Sequence, residues 1–592
     1  MSHQVKKNLG VIYHKNATEF RVWAPNAVRV LIVGTFTPSG PIELSSEDDG
    51  YWSVKIAGVQ PGQNYQYHID TGTTVLHRND PRGLALTASD HGYSVVVDDE
   101  FDWEDDQFRA PNYNEQVIYE MHVGTFNRAD PATPGTFETA IEKLDYLREL
   151  GINMIELMPI TSMAFSNGWG YAPNYLYSVE AMLGGRHGLM MFVRECHKRG
   201  IGVILDIVYN HFYGDSDLWQ FDGWSENNRG GIYFYNDERG DTPWGGRPDY
   251  GRAEVRQFFL DNVTMWLTDY RLDGLRVDST IYMRNTAGFS NDPAHDIPDA
   301  WYLLQDMNTV AHEINSRVIT LAEDSSSTEF ITKPRSESGA GFDAQWEISF
   351  PRALREATGL QYGVTQSLVS LQFEIERTYN GNPFQKVVFS DSHDTAANGS
   401  VRINEAAAPK HADNKRAREV ALLVDAIALT CAGIPMILQG SEFLQDGSFN
   451  DWHALDWDNL EKHQGIVDAH RHLIDLRLNR YGHTAGLLGQ HTSIVHQDNV
   501  NFVLAYHRWD QGGPDDDVVV IANCGSSQFP EYALHLPLSG TWTVRFNSSW
   551  HGYADDFKEI ALDTLTTNDE GDAVLALPPY GVFILSQDKT DK

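Results

Sequence analysis

Residues 274–280 read GLRVDST, a short apolar run interrupted by two charges. Helical spacing precedes it, with Val255, Phe259, Val263, Trp266 and Tyr270 on one stripe, so the run reads as a strand that follows a helix. Side chains at i and i+2 share one face of a strand. Arg276 and Asp278 therefore point together, and Leu275 and Val277 point the other way. Burying charge is costly unless it is paired. The run holds either a structural ion pair or a pair placed for chemistry.

Seven more runs of the same kind flank it: VIYEMHV (117–123), INMIELMPI (152–160), VILDIVYNH (203–211), VITLAED (318–324), DAQWEI (343–348), VVFSDSHD (387–394) and IPMILQGSEF (434–443). Amphipathic helices separate them, as with Phe137, Ile141, Leu144 and Leu147 ahead of the second run. Short apolar strands alternating with helices are the pattern of parallel βα units. Eight of them between residues 116 and 484 predict an α/β architecture, a (β/α)8 TIM barrel with one enlarged loop at 212–252. That loop carries Trp219, Trp224, Tyr233, Tyr235 and Trp244, which either fill its own core or offer flat faces to sugar rings.

Residues 1–105 alternate with period two at Phe20 and Val22, at Val28, Val30 and Ile32, and at Tyr65 and Tyr67, around turns at Pro25-Asn26 and Pro61-Gly62. An N-terminal β-sandwich is expected there, followed by the polar linker DDQFRAPNYNE (105–115). From 485 to 592 the helical spacing stops. FVLAYHRW, DVVVIANC and YGVFILS predict a C-terminal β-sandwich, with the tail DKTDK frayed.

The chain of 592 residues carries 82 Asp plus Glu against 45 Lys plus Arg, a formal charge of -37. Such a surface repels phosphate backbones and anionic lipid headgroups, which argues against nucleic acid and membrane partners and suits a neutral polymer. The first twenty residues lack the apolar stretch of a secretory leader, and no window reaches the ~18 apolar residues of a membrane span, so a cytoplasmic location is expected. Cys196, Cys431 and Cys524 are far apart and lack metal-ligand spacing, so neither disulfides nor zinc are expected. Cys196 continues an apolar helical stripe and reads as a core residue.

Several runs end in residues that a purely structural strand would not carry: Asp206, Asn210 and His211; Arg276 and Asp278; Glu323 and Asp324; His393 and Asp394. In a parallel barrel these ends converge on the mouth where chemistry sits. Taken singly, each could be solvated or cap a helix. Asp324 reads as a cap or loop residue. Asp206 could either orient its neighbours or touch substrate.

DIVYNH (206–211), GLRVDST (274–280), LAED (321–324) and SDSHD (390–394) resemble, in order and spacing, the four short sequence regions of the alpha-amylase superfamily of glycoside hydrolases. Gly170-Tyr171 in NGWGYAPNYLYS resembles the superfamily segment whose tyrosine stacks on sugar. The resemblance implies that Asp278 is the nucleophile, Glu323 the general acid/base, and Asp394 the carboxylate that holds sugar hydroxyls. It implies sugar contacts for Tyr171, His211 and His393, with Arg276 beside the nucleophile. The chemistry is coherent, because a retaining glycosidase needs two carboxyl groups about 5–5.5 Å apart, one ionised and one protonated, and environment can push similar side chains to opposite roles.

FRVWAPNA (20–27), RNDPRG (78–83) and YEMHVGTF (119–126) resemble the subgroup of branching enzymes, isoamylase-like debranching enzymes and maltooligosyltrehalose trehalohydrolases. SDSHDTAANG, and the segment GIPMILQGSEFLQDGSFNDWHALDWDN (433–459), are most similar to 1,4-α-glucan branching enzymes. The expected activity is α-1,4 cleavage with transfer to a 6-hydroxyl on a starch- or glycogen-like glucan. An amylase-like hydrolase is the alternative, and a non-catalytic glucan-binding protein the remote one. Thr395 stands where glutamate is usual in branching enzymes, and Ser279 where alanine is common. Some relatives bind calcium near the position of Asn210; no obligatory metal is expected here.

Overall fold

In the computed structural model, which describes residues 9–87, 92–98, 100–163, 168–214, 216–289 and 292–589, each of the eight runs becomes one strand of a closed barrel. In chain order these are β1 (Ile118–Met121), β2 (Met154–Leu157), β3 (Gly202–Ile207), β4 (Gly274–Val277), β5 (Ile319–Ala322), β6 (Ala344–Trp346), β7 (Lys386–Phe389) and β8 (Ile434–Leu438). Neighbours pair in parallel, and β1 closes on β8 with Ile118 opposite Met436.

Every strand stops short of the C-terminal end of its run. Asn210, His211, Asp278, Glu323, His393 and Asp394 lie past the last residue of their strands, while Asp206 and Arg276 lie within theirs. The physical reason is the pleat. In a paired strand alternate side chains face the helices, so neighbours such as His393 and Asp394 reach one cleft only after the chain leaves the ladder.

Inside the barrel, Ile118, Met154, Ile204, Ile319, Leu321, Trp346, Val387, Phe389 and Met436 form a core of their own. The helices outside belong to a larger cluster; Ala253–Thr268 buries Val255, Phe259, Val263 and Trp266 on the stripe read from sequence and packs against Pro298–Ile314. Gly274 belongs to the interior layer, where Ile204 and Ile319 fill the space a side chain would need. A Cβ there would stand 2.6 Å from Ile319 Cγ2 and 2.7 Å from its carbonyl oxygen.

Ahead of the barrel, two antiparallel sheets enclose Phe20, Val22, Val30, Ile32, Tyr65 and Tyr67. Val28, expected inside, is exposed, because the strand begins only at Arg29. This region docks on the enlarged loop: Asn26 donates to Asp222, and the Arg78 guanidinium donates to the carbonyls of Trp219, Gln220 and Phe221. After the barrel, a six-stranded and a two-stranded sheet bury Val503, Val519, Ile521, Trp542 and Phe583. Of the tail expected to fray, Asp588 pairs with Arg545 and Lys589 with Asp515, whereas 590–592 lie outside the described residues, as do 1–8. The three cysteines are buried and free. Among the described residues no helix is long and apolar enough to cross a membrane.

The crowding at Gly274 gives a direct check on this layered core. Gly274→Val is expected to destabilise the protein by about 1–3 kcal/mol through overpacking, read as a lowered midpoint of thermal unfolding. An unchanged midpoint would show slack in the layer.

Candidate active site

Arg276 is fully buried on β4, and its guanidinium joins three carboxylates from three consecutive strands. Nη1 lies 2.6 Å from Asp206 and 2.8 Å from Asp278, and Nη2 lies 2.9 Å from Glu323. Its guanidinium carbon lies 4.4 Å from the centre of the Trp346 ring, a cation–π contact. The charges at 276 and 278 are thus neither a simple two-member ion pair nor unpaired. They are the centre of a cluster.

Asp278 is held on both oxygens: Oδ1 accepts from Arg276, and Oδ2 accepts from the Asn210 side-chain amide at 2.6 Å. Burial raises its pKa above the ordinary aspartate value, and the Arg276 charge and the Asn210 hydrogen bond pull it back. Glu323 is held differently. Its Oε2 accepts from the Ser279 N–H at 2.8 Å, which the chain supplies by turning through a left-handed conformation at Ser279 (φ 39°) directly after Asp278. Burial pushes Glu323 up to about 7; Arg276 opposes this, and the negative charges of Asp278 and Asp394 add to it. Two carboxyls that share one guanidinium are therefore held differently: the donors on Asp278 favour its charged form, and Glu323 is raised to about 7.

Asp324, read as a cap or loop residue, lies in the loop after β5 and caps no helix. It is buried and accepts two hydrogen bonds from Arg284, both 2.9 Å, and one from the Thr280 hydroxyl, while the Thr280 N–H holds the Glu323 carbonyl at 2.8 Å. A buried carboxylate needs such partners, and here they fix the backbone of Glu323. Asp206 resolves toward the orienting role, since it is buried and accepts from both Arg276 and the Tyr171 hydroxyl, at 2.6 Å each.

On the opposite wall, the Tyr171 ring stacks on His393 at 5.1 Å. Glu120, on β1, accepts from the His393 backbone N–H at 2.9 Å and bonds its Nδ1 at 2.5 Å. Burial works against a charged imidazole here, but Glu120 and Asp394 outweigh it and lift His393 to about 9. His211 is lowered to about 4 by burial, with Nε2 facing the Tyr171 carbonyl. At pH 7 one histidine in the cleft is cationic and the other neutral.

These groups surround a cleft of about 400 Å³. Asp278, Glu323, Asp394, Tyr171, His211 and His393 line it; Arg276 and Asp206 support it from beneath. Trp169, Tyr282 and Asn398 also line it. The enlarged loop's aromatics divide between their two readings. Trp219 packs on Phe234 and Trp224 lies under Arg252, whereas Trp244 reaches the cleft, 4.7 Å from Tyr282. Ser279 lines the cleft, but the Thr395 hydroxyl turns back to accept from the Ser392 N–H at 2.8 Å.

Asn210 does not fit a calcium site. Its amide nitrogen is committed to Asp278, and its oxygen faces His211 Nδ1. A further metal-ligating group, His483 with Asp515 and Asp588, is met by Lys589 and Arg545.

Sequence reading missed Asn210 as a partner of Asp278, and Glu120, Trp169, Tyr282 and Asn398 altogether. Glu120 did carry a signal: an acid amid the apolar run VIYEMHV is the same anomaly that marked Arg276. Its effect can be measured. Because Glu120 raises the His393 pKa, Glu120→Gln should move that titration down from about 9, read by NMR of the labelled imidazole. The wild-type pair contributes stability that is complete below pH 6.5 and lost as pH rises through about 9; the variant should lack it. An unmoved titration would remove Glu120 from this role.

The sequence matches the alpha amylase catalytic domain family over residues 120–248 and 217–472, the alpha amylase C-terminal all-beta domain over 494–588, and carbohydrate-binding module 48 (isoamylase N-terminal domain) over 8–82. A 1,4-alpha-glucan branching enzyme of Pseudoalteromonas atlantica is 28% identical, over 96% of this chain and 81% of its own length. A malto-oligosyltrehalose trehalohydrolase of Saccharolobus solfataricus is 29% identical, over 77% of this chain and 78% of its own. Among solved structures, a putative alpha amylase from Salmonella typhimurium superposes with TM-score 0.76 at 22% identity, covering 98% of this chain and all of that one (100%). A pullulanase from Paenibacillus barengoltzii, in complex with maltohexaose and alpha-cyclodextrin, has TM-score 0.76 at 22% identity, covering 98% and 95%. With the barrel, the flanking sheets and the family match in agreement, the chain belongs to the alpha-amylase family.

Proposed function

We propose that the protein is a retaining α-glucan transglycosidase, a 1,4-α-glucan branching enzyme. The observation that carries the chemistry is the guanidinium shared by Asp278 and Glu323, with Glu323 raised to about 7. Asp278 attacks the anomeric carbon while Glu323 gives its proton to the departing glycosidic oxygen, which leaves a glycosyl-Asp278 ester and an ionised Glu323. Glu323 then takes the proton of an incoming 6-hydroxyl, which attacks the same carbon and releases Asp278. Asp394 and the cationic His393 hold the hydroxyls of the ring being transferred, His211 does so without charge, and Tyr171 is its stacking platform. A non-catalytic binder would not need this difference between two acids.

Support for transfer over hydrolysis comes from kinship, since branching enzymes of about 28% identity align with nearly the whole chain. One observation favours a second reading, α-1,4 hydrolysis: Thr395 folds back into its turn and offers the acceptor nothing where branching enzymes usually carry glutamate. The donor would be amylose, starch or glycogen, in the cytoplasm. No metal takes part in the scheme, and activity should survive exhaustive chelation.

Proton NMR of amylose after digestion separates the readings. New α-1,6 signals with little reducing sugar are expected; short maltooligosaccharides without α-1,6 signal would leave the hydrolase. Glu323→Gln should lower kcat/KM about 10²–10⁴-fold, the range for losing a general acid. Since the acid works protonated, wild-type kcat/KM should fall as pH rises through about 7. A flat profile to pH 9 would exclude Glu323 as the acid.

A further inference from the structure

The run INMIELMPI holds an acid among apolar residues, the same anomaly that marked Arg276 and Glu120. That acid, Glu156 on β2, stands directly opposite Glu120 on β1 and Ile204 on β3. Met154, two residues before it on the same face, and Ile204 both belong to the core inside the barrel, so Glu156 also points inward, beneath the cleft. It is 1% exposed.

The groups around it are those of the site itself: Arg276, Glu120, Asp206 and His393 all act electrostatically on its carboxyl. The other acids here have donors. Asp206 has Arg276 and Tyr171, Asp278 has Arg276 and Asn210, Glu120 has the N–H and ring of His393, and Glu323 has the Ser279 N–H. Glu156 Oε2 is sealed from solvent and has no hydrogen-bond partner among the described residues. A carboxylate so placed would carry the full cost of a buried charge, with neither water nor a donor to offset it. A carboxylic acid would not. Burial holds the Glu156 pKa well above the ordinary carboxylate range; Arg276 opposes this, and the charges of Glu120 and Asp206 add to it.

An acid in turn needs an acceptor for its proton. Both oxygens of Glu120 already have donors in His393. Asp206 differs, because Oδ2 takes both of its donors, while Oδ1, equally sealed, has no partner among the described residues. Asp206 follows Ile204 by two residues on the same inward face, a step of ~6.6 Å toward the mouth. The joint length of a glutamate and an aspartate side chain covers that step. One unpaired acceptor therefore faces one group that must donate.

We propose that Glu156 is a positioning residue: it remains a neutral acid and donates a hydrogen bond to Asp206 Oδ1, so that the carboxylate that seats Arg276 and the Tyr171 hydroxyl is held on both oxygens. What the bond positions rests on the catalytic reading of the Arg276 cluster; the bond itself does not.

Infrared spectroscopy reads the bond without reference to activity. At pH 9, above the Glu323 pKa of about 7, the spectrum of the wild-type protein minus that of Glu156→Gln should contain the carbonyl band of a protonated carboxyl. Taken in the Asp206→Asn background, the same difference should show the band at higher frequency, since a neutral amide accepts more weakly than a carboxylate. No such band, or a band that Asp206→Asn leaves in place, would overturn the proposal. Kinetics test the positioning. Glu156→Leu should lower kcat/KM on amylose about tenfold, the equivalent of a hydrogen bond to a charged group, and Glu156→Gln, whose amide donates as the acid does, should recover most of that loss. Equal losses in the two variants, or none in either, would overturn the positioning role. A wild-type protein inactive on every α-glucan would remove the reading of the cleft instead, and the infrared band would still decide the hydrogen bond.

Discussion

The site depends on one buried cation. Arg276 sits at the centre of the barrel mouth with no exposed surface, and Asp206, Asp278 and Glu323 converge on it. Three carboxylates this close, without it, would repel one another and take up protons. With it, they stay together and differ. Asp278 has a second donor in Asn210 that favours its charged form. Glu323, pushed up by burial and by the negative charges of Asp278 and Asp394, rises to about 7 although Arg276 opposes it. The difference between the two carboxyls is therefore a difference of position around one side chain.

The rest of the barrel mouth holds that position fixed. Asp324 and Arg284, beneath Glu323, clamp its backbone through Thr280. Asp206 accepts from both Arg276 and the Tyr171 hydroxyl and so ties one to the other, and Glu120 sets both the placement and the charge of His393. Such paired groups lower the cost of burying charge, but they add little to stability in comparison with well-packed apolar residues of similar size. Their benefit lies in pre-organisation: the cleft presents two carboxyls held by different donors and a cationic imidazole before substrate arrives.

The eight strands were legible because each is a short apolar run bounded by helical spacing, and all eight appear in the predicted order. Their C-terminal limits were not, because apolar pattern continues into loops that have left the ladder, as in VILDIVYNH, where pairing ends at Ile207 but the apolar pattern runs on through Val208 and Tyr209. Polar residues at the ends of the runs led to five of the groups that line the cleft, and the resemblance added Tyr171. What sequence could not give was partnership across long separations. Glu120 reaches His393 over 273 residues, and Asn210 reaches Asp278 over 68. Asp324 read as a cap or loop residue and does lie in the loop after β5, but its partner, Arg284, belongs to the helix after another strand and could not be foreseen. Trp244 could not be told from Trp219 until the loop was folded.

The most direct measurement is to trap the covalent intermediate. An α-maltosyl fluoride needs no acid to release fluoride, so the Glu323→Gln protein should still form the ester on Asp278, while lacking the base that removes it. Mass spectrometry of the digested protein should find a maltosyl adduct on the peptide that carries Asp278. Fluoride release with that peptide unmodified, or an adduct on any other side chain, would contradict the account.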